Sequence, residues 1–65
     1  MSEKLLKLRL KDPDRCEQAD YWLQYEGIWF EREGAVVTYR ERDEIMVEVL
    51  LLGRGMDFDR ENDDG

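Results

Sequence analysis

The chain has 65 residues, of which 17 are acidic and 10 are basic, so its formal charge is −7. This length allows one domain, and a single cysteine without any histidine excludes an internal disulfide and a Cys/His metal site. The negative charge opposes binding to nucleic-acid phosphates and anionic membranes and favours a partner protein with a basic surface. The same charge can also serve solubility alone.

The first half of the chain predicts a strand followed by a helix. Residues 4–11 alternate leucines with basic side chains, which is typical of a half-buried strand. Asp12 and Pro13 then form an N-cap and first-turn pair, and apolar residues at helical spacing follow, so a helix over about 13–25 is expected. The aromatic-rich segment from Tyr21 to Tyr25 is equally compatible with an extended chain.

The second half predicts three strands. Ile28 to Arg32 and Ala35 to Arg42 flank a Glu-Gly turn and therefore predict a β-hairpin. Glu44 to Leu52 predicts the next strand, because its apolar residues alternate. They are Ile45, Val47, Val49 and Leu51. The end of this segment, from Leu50 to Leu52, is apolar on both faces, which indicates either a central strand or a face that meets a partner.

The expected fold is therefore α+β, with a small antiparallel sheet or short barrel of about four strands and one helix in the order β-α-β-β-β. The domain is expected over residues 1–56, and residues 57–65 are expected to form a flexible, acidic C-terminal tail. Acidic residues alternate from Asp57 to Asp63, as at the start of a calcium loop. The glycine and the final glutamate of such a loop are missing, so the sequence predicts a solvated tail and no metal.

Catalysis is not expected. Histidine, the commonest general base, is absent. Cys16 lies on the apolar stripe of the predicted helix and is interpreted as a small core residue. No pair of carboxylates lies in an apolar setting that would separate their pKa values. The sequence therefore predicts a protein that is not an enzyme, with no catalytic residues and no cofactor.

Aromatic and acidic residues provide the candidate contact surface. If Ile28 and Phe30 face inward on a strand, Trp29 faces outward between acidic neighbours, and tryptophan and tyrosine are frequent at binding hot spots. The alternative is that the aromatic residues fill the core, with Trp29 under the helix or the tail. The candidate protein-binding residues are Tyr25, Glu26, Trp29, Glu31, Glu33, Leu50 and Leu52.

Two segments resemble part of a known family. Tyr25-Glu26-Gly27-Ile28 and Val47-Glu48-Val49-Leu50-Leu51-Leu52-Gly53-Arg54 are similar to the second half of a KOW-type barrel from bacterial transcription-elongation factors. The resemblance covers about half of the chain and implies an SH3-like β module. The residues before Tyr25 do not follow the opening of that family, and a Pro-capped helix there does not fit its barrel.

The main functional hypothesis is a small acidic protein-binding module that inhibits or modulates a basic, nucleic-acid-handling protein. A phage-encoded mimic of nucleic acid, with carboxylates in place of phosphates, is the sharpest form of this hypothesis. The alternative is a structural or accessory subunit of a transcription or ribosomal assembly, or a homodimeric β protein. Direct nucleic-acid and membrane contacts are not expected. The lone cysteine and the absence of an apolar signal segment predict the cytoplasm of a bacterium or of a phage-infected host cell.

Overall fold

The computed structural model of the protein describes residues 4–61. Within them, strands and helices follow in the order β-α-β-β-α-β. These elements are β1 (Leu5–Leu10), α1 (Cys16–Tyr25), β2 (Phe30–Glu33), β3 (Val36–Arg40), α2 (Glu44–Gly53) and β4 (Phe58–Arg60). One short 3-10 turn, Pro13–Arg15, leads into α1, and another, Glu41–Asp43, leads into α2.

The four strands form one antiparallel sheet in the order β2-β3-β1-β4. This order arises because each helix carries the chain over the sheet between two strands, the split β-α-β arrangement known as ferredoxin-like. The predicted α+β class and the four-stranded antiparallel sheet are confirmed. The order β-α-β-β-β and the single helix are wrong, and the sheet has two edges, β2 and β4, so it is not a barrel.

The core lies between the sheet and the helices. In β1 the leucines at even positions are buried and the residues between them are exposed, which confirms the half-buried strand that the alternation predicts. The same inward side is continued by alternate residues of β3. The buried apolar residues are Leu6, Leu8, Leu10, Cys16, Ala19, Leu23, Ile28, Val37, Tyr39, Val47, Leu51 and Met56.

Helix α1 confirms the predicted helix of the first half. Pro13–Arg15 forms a 3-10 turn, in which a side-chain oxygen of Asp12 accepts a hydrogen bond of 3.1 Å from the backbone N–H of Asp14. The α-helix then runs through the aromatic segment as far as Tyr25. Propensity left that segment open between helix and strand, and the helix prevails because Ala19 and Leu23, one turn apart, are both buried.

Helix α2 corrects the strand that was predicted over Glu44 to Leu52. An apolar run satisfies both periods at once, so alternation cannot distinguish strand from helix. The structure buries Val47 and Leu51, which are four residues apart, and leaves Ile45 and Val49 largely exposed. The topology requires this helix, because it carries the chain between β3 and β4, which run in the same direction on either side of β1.

Both helices end in the same way. Gly27 and Gly55 follow α1 and α2 with positive φ of 74° and 78°, a conformation that suits glycine. After α1, the N–H of Ile28 donates to the carbonyl of Leu23 at 3.0 Å, and after α2, the N–H of Met56 donates to that of Leu51 at 2.9 Å. These are Schellman caps, and each places a buried apolar residue, Ile28 or Met56, directly after the glycine.

The acidic C-terminal segment contributes to the sheet. Phe58–Arg60, within the range predicted to be a tail, forms β4 and pairs with β1, so that Phe58 lies opposite Leu10 and Arg60 opposite Leu8. Strand alternation places Asp59, opposite Arg9, on the open side of this strand. Residues 62–65 lie outside the described residues.

The KOW-type barrel is not formed, because the second of the two segments that resemble it lies in and just after α2. In the part of the chain that the structure describes, neither helix is long and apolar enough to cross a membrane.

Candidate functional site: two exposed surfaces

The sheet separates the predicted contact residues into two groups. Alternation along β2 and β3 places one group on the open side of the sheet, away from the helices. The other group lies on the helix side. The open-side residues are Trp29, Glu31 and Glu33, and the helix-side residues are Tyr25, Glu26, Leu50 and Leu52. The structure therefore does not bring the seven candidates together, and each side has to be considered separately.

Trp29 faces outward on the open side of the sheet. Its two neighbours, Ile28 and Phe30, are buried and half-buried on the side of the core. The indole is 37% exposed, and the guanidinium carbon of Arg40 lies 5.3 Å from its ring centroid. An arginine over an indole face is a cation–π contact, so part of the apolar surface of Trp29 is already covered within the protein.

Acids and bases alternate across the open side of the sheet and pair with one another. Arg9 of β1 binds Glu61 at 3.1 Å, and Lys11 approaches Asp59 at 3.5 Å. The hydrogen bond that Arg9 donates to the carboxylate of Glu61 also raises the pKa of Arg9. Two acids of the C-terminal segment are therefore balanced by cations in and just after β1, and the open side is a mixed surface with no continuous array of carboxylates along β4.

The outer side of α2 is a different surface, because it is almost entirely apolar. Ile45 is 77% exposed, Met46 53%, Val49 64% and Leu52 58%. We call these four side chains the α2 surface. Isolated exposed apolar residues are common, but a contiguous group on one helix usually marks a contact with another molecule. Of the four, only Leu52 was among the predicted contact residues.

The acids of α2 do not cover this surface. The carboxylate of Glu48 accepts two hydrogen bonds from Arg60 of β4, at 2.7 and 2.9 Å, and is turned towards the edge of the sheet. Its side chain is only 17% exposed. Glu44, one turn earlier on the same side of the helix, is half-buried. The polar side of α2 therefore faces β4, and its solvent side lacks a charged group over the length of the helix.

A shallow apolar groove extends the α2 surface towards α1. It lies between the end of α1 and residues 45–50 of α2. Its lining is Glu26, Ile28, Ile45, Met46, Val49 and Leu50. Glu26 provides the one charged group of this lining, so an occupant would meet an acid at one end of an otherwise apolar groove.

Two tyrosines form the outer side of α1 beside this groove. Tyr21 and Tyr25 are both largely exposed, and their rings stack with centroids 6.3 Å apart. The helix layer thus presents an aromatic strip on α1 and an aliphatic strip on α2.

An arginine cluster fixes α1 against the end of α2. Arg15 donates hydrogen bonds to the backbone carbonyls of Arg54 at 3.0 Å and Gly55 at 3.2 Å, where the helix leaves carbonyls without intrahelical partners. The guanidinium carbons of Arg15 and Arg54 lie 5.8 and 5.2 Å from the ring centroid of Trp22. A positive charge at this end of α2 also suits the helix dipole.

Two further polar groups have structural positions. Arg32 of β2 binds Asp20 of α1 at 2.7 Å, and this hydrogen bond raises the pKa of the arginine. Tyr39 is fully buried in β3, and its hydroxyl has no hydrogen-bond partner among the described residues. The thiol of Cys16 is buried and donates to the carbonyl of Asp12 at 3.8 Å, consistent with the core position that its spacing predicts. Within residues 4–61, His, Cys, Asp and Glu form no group of three that could hold a metal ion.

No protein-family model matches this chain, and no curated protein or solved structure is significantly similar to it. The interpretation of its function therefore depends on the two surfaces.

Sequence reasoning missed Ile45, Met46 and Val49 because the segment was assigned to a strand. Two signals could have identified the helix. Glu44 and Glu48 are four residues apart, which places them on one side of a helix. The glycine pair at Gly53 and Gly55 is also typical of a helix end.

Proposed function

We propose that this protein is a non-catalytic protein-binding module that contacts its partner through the α2 surface. The observation that carries this proposal is that α2 is apolar on both its core side and its solvent side. A helix of this composition is normally covered on all sides. The four exposed side chains would together contribute on the order of 5 kcal/mol if a partner buried them, before the costs of association are subtracted.

Modulation of a larger protein is one role that this surface could serve. The formal charge of −7 favours a partner with basic groups around an apolar site, and Glu26 lies where such a rim would begin. A basic, nucleic-acid-handling protein would fit this description. Mimicry of nucleic acid is a narrower form of the proposal. Because Asp59 and Glu61 on the open side of the sheet are paired with cations, other carboxylates would have to take the place of the phosphates.

The second candidate function is a permanent accessory subunit of a larger assembly, for example of transcription or translation. The apolar character of the α2 surface favours it, because permanent interfaces are more hydrophobic than transient ones. Salt distinguishes the two functions. An acidic modulator held to a basic site should lose affinity steeply as salt increases, whereas a subunit held by apolar burial should not.

The proposed setting is the cytoplasm of a bacterium or of a phage-infected host. It is supported by the lone cysteine, which is buried and unpaired. No cofactor is proposed.

Affinity capture from a host lysate with matched variants tests the proposed function. Val49→Asp places a charge on the α2 surface, and Leu5→Asp places the same charge on the open side of the sheet, where Leu5 is also about half exposed. A partner that the wild type and Leu5→Asp retain but Val49→Asp loses supports the proposal. A partner that only Leu5→Asp loses would move the contact to the sheet and contradict it.

A further inference from the structure

We propose that the occupant of the α2 surface is a second copy of this chain, with the two α2 helices packed antiparallel across a two-fold axis. This inference rests on the proposed function only in that the α2 surface is a protein contact, and it names a second copy, in place of a larger basic protein, as the molecule that covers this surface. Closed two-fold dimers are the commonest oligomers, and their interface must be complementary to itself.

The apolar stripe of α2 meets this requirement. Ile45, Val49 and Leu52 follow one another at spacings of four and three residues, so they form one line along the helix. The line is about 10 Å long at 1.5 Å per residue, and its midpoint lies between Glu48 and Val49. In an antiparallel pair centred there, Ile45 of one copy lies opposite Leu52 of the other, and Val49 lies next to the axis.

The charges at the two ends of the stripe are also complementary to each other. Asp43 and Glu44 lie at the N-terminal end of α2, and Arg54 lies at its C-terminal end. An antiparallel pair brings Arg54 of one copy to the acidic end of the other, twice, and opposes the two helix dipoles. A parallel pair would place like charges together. The guanidinium of Arg54 is held on the ring of Trp22 and is exposed, so it is positioned at the rim of the surface.

The net negative charge of each copy opposes dimerisation, but no unpaired acid lies at the centre of the proposed interface. Each copy carries −7, and two such copies repel each other at long range. At the α2 surface, Glu48 is neutralised by Arg60 and turned aside, so no acid is buried between the copies. Salt screens both this repulsion and the attraction between the opposite charges at the two ends, so the dimer should depend only weakly on salt, in contrast to the binding of a basic partner.

Sedimentation velocity and light scattering measure the association directly. Over a series from about 1 μM to about 1 mM, which spans the usual range of weak protein complexes, the wild type should change from 7.8 kDa to twice that mass. Val49→Asp should remain folded and monomeric over the whole series, and Leu5→Asp should dimerise like the wild type. Loss of dimerisation in Leu5→Asp but not in Val49→Asp would overturn the proposal.

A charge exchange tests the antiparallel arrangement. Arg54→Glu and Asp43→Arg each place like charges together at both ends of the homodimer, so each should weaken it about tenfold or more. An equimolar mixture of the two variants restores an opposite-charge pair at each end and should form a heterodimer as tight as the wild type. Charge variants that dimerise as well as the wild type, or a mixture that is no tighter than its components, would overturn the proposal.

A wild type that stays monomeric throughout the series also overturns it. In that case the capture experiment decides separately on the proposed function. If Val49→Asp loses a partner of another kind, the α2 surface remains a contact surface with a different occupant, and if no partner depends on Val49, the proposed function fails as well.

Discussion

The two helices have the same length, the same type of cap and the same sheet beneath them, yet their outer sides differ completely. Helix α1 turns Glu17, Gln18 and Gln24 to solvent beside its two tyrosines, whereas α2 turns four aliphatic or thioether side chains outward. Helix α1 is amphipathic, with its polar side in solvent and its apolar side against the core. Helix α2 lacks such a contrast, and we infer that its outer side is adapted to another protein molecule.

The largest expected effect separates the two sides of α2. Val47 is fully buried, so Val47→Asp should place a charge in the core and unfold the protein, because the total stability expected for a chain of this size is only about 5 kcal/mol. Val49 is largely exposed, and Val49→Asp should change the free energy of unfolding by no more than about 0.5 kcal/mol. Circular dichroism and urea titration of both variants measure this difference.

The same pair of variants distinguishes helix from strand. A strand over this segment would place Val47 and Val49 on one face, and both substitutions would then unfold the protein. Equal loss of structure in the two variants would therefore contradict both the helix and the surface assigned to it.

Glycine substitutions test the Schellman caps at the ends of both helices. Gly27→Ala and Gly55→Ala should each lower the free energy of unfolding by about 1 kcal/mol, or somewhat more, because both residues have positive φ. Gly53 lies within α2 with open space around its Cβ position. Gly53→Ala is therefore the matched control and should stabilise the protein by about 0.5 kcal/mol. A cost at Gly53 as large as that at Gly55 would show that the end of α2 has been placed wrongly.

Substitution of Tyr39 should give the smallest change in the free energy of unfolding. Glu44 and Glu48 of α2 act electrostatically on Tyr39, so the substitution tests the side of α2 that faces the sheet. Since its hydroxyl is buried and has no hydrogen-bond partner within residues 4–61, Tyr39→Phe should leave the stability unchanged or raise it by about 1 kcal/mol. A loss of more than about 1 kcal/mol in thermal or chemical unfolding would indicate that the hydroxyl is bonded.

The pH dependence of stability gives a second readout at Tyr39. Burial raises the pKa of Tyr39, with further contributions from Glu44 and Glu48, while Arg60 lowers it. Because the pKa of Tyr39 is raised, the folded state holds the hydroxyl proton more tightly than the unfolded state. The stability that this difference contributes is fully present below the ordinary tyrosine pKa of about 10 and is lost as the pH rises further. The wild type should therefore lose more stability above pH 10 than Tyr39→Phe.

The comparison of the helices also shows what the sequence could predict. A segment with one polar and one apolar side, such as β1 or α1, has a period that identifies it, and both were predicted. Helix α2 is apolar at nearly every position, so alternation and helical spacing fitted it equally, and the crossover topology decided between them. The β4 segment was missed because a strand of three residues gives too short a pattern, and Phe58 was its only apolar residue.

The contact residues of the candidate site could likewise be predicted only where the local pattern identified the secondary structure. The outward orientation of Trp29 could be predicted from its neighbours, since strand alternation is local. The α2 surface was missed with the helix, because it exists only once Val47 and Leu51 turn inward as helical neighbours and leave Ile45 and Val49 outside. The apolar excess at Leu50 to Leu52 predicted either a central strand or a partner contact, and the structure places these residues in α2, with Leu50 half-buried and Leu52 exposed.

The most direct test of the central claim is the backbone amide spectrum of the wild type, recorded by NMR from dilute to concentrated solution. If the outer side of α2 is covered by a second copy, concentration-dependent shifts should be confined to the α2 surface and its rim, with the largest at Ile45, Val49, Leu52 and Arg54. Shifts centred instead on Trp29, Glu31 and Glu33, or a spectrum that does not change with concentration, would contradict the account.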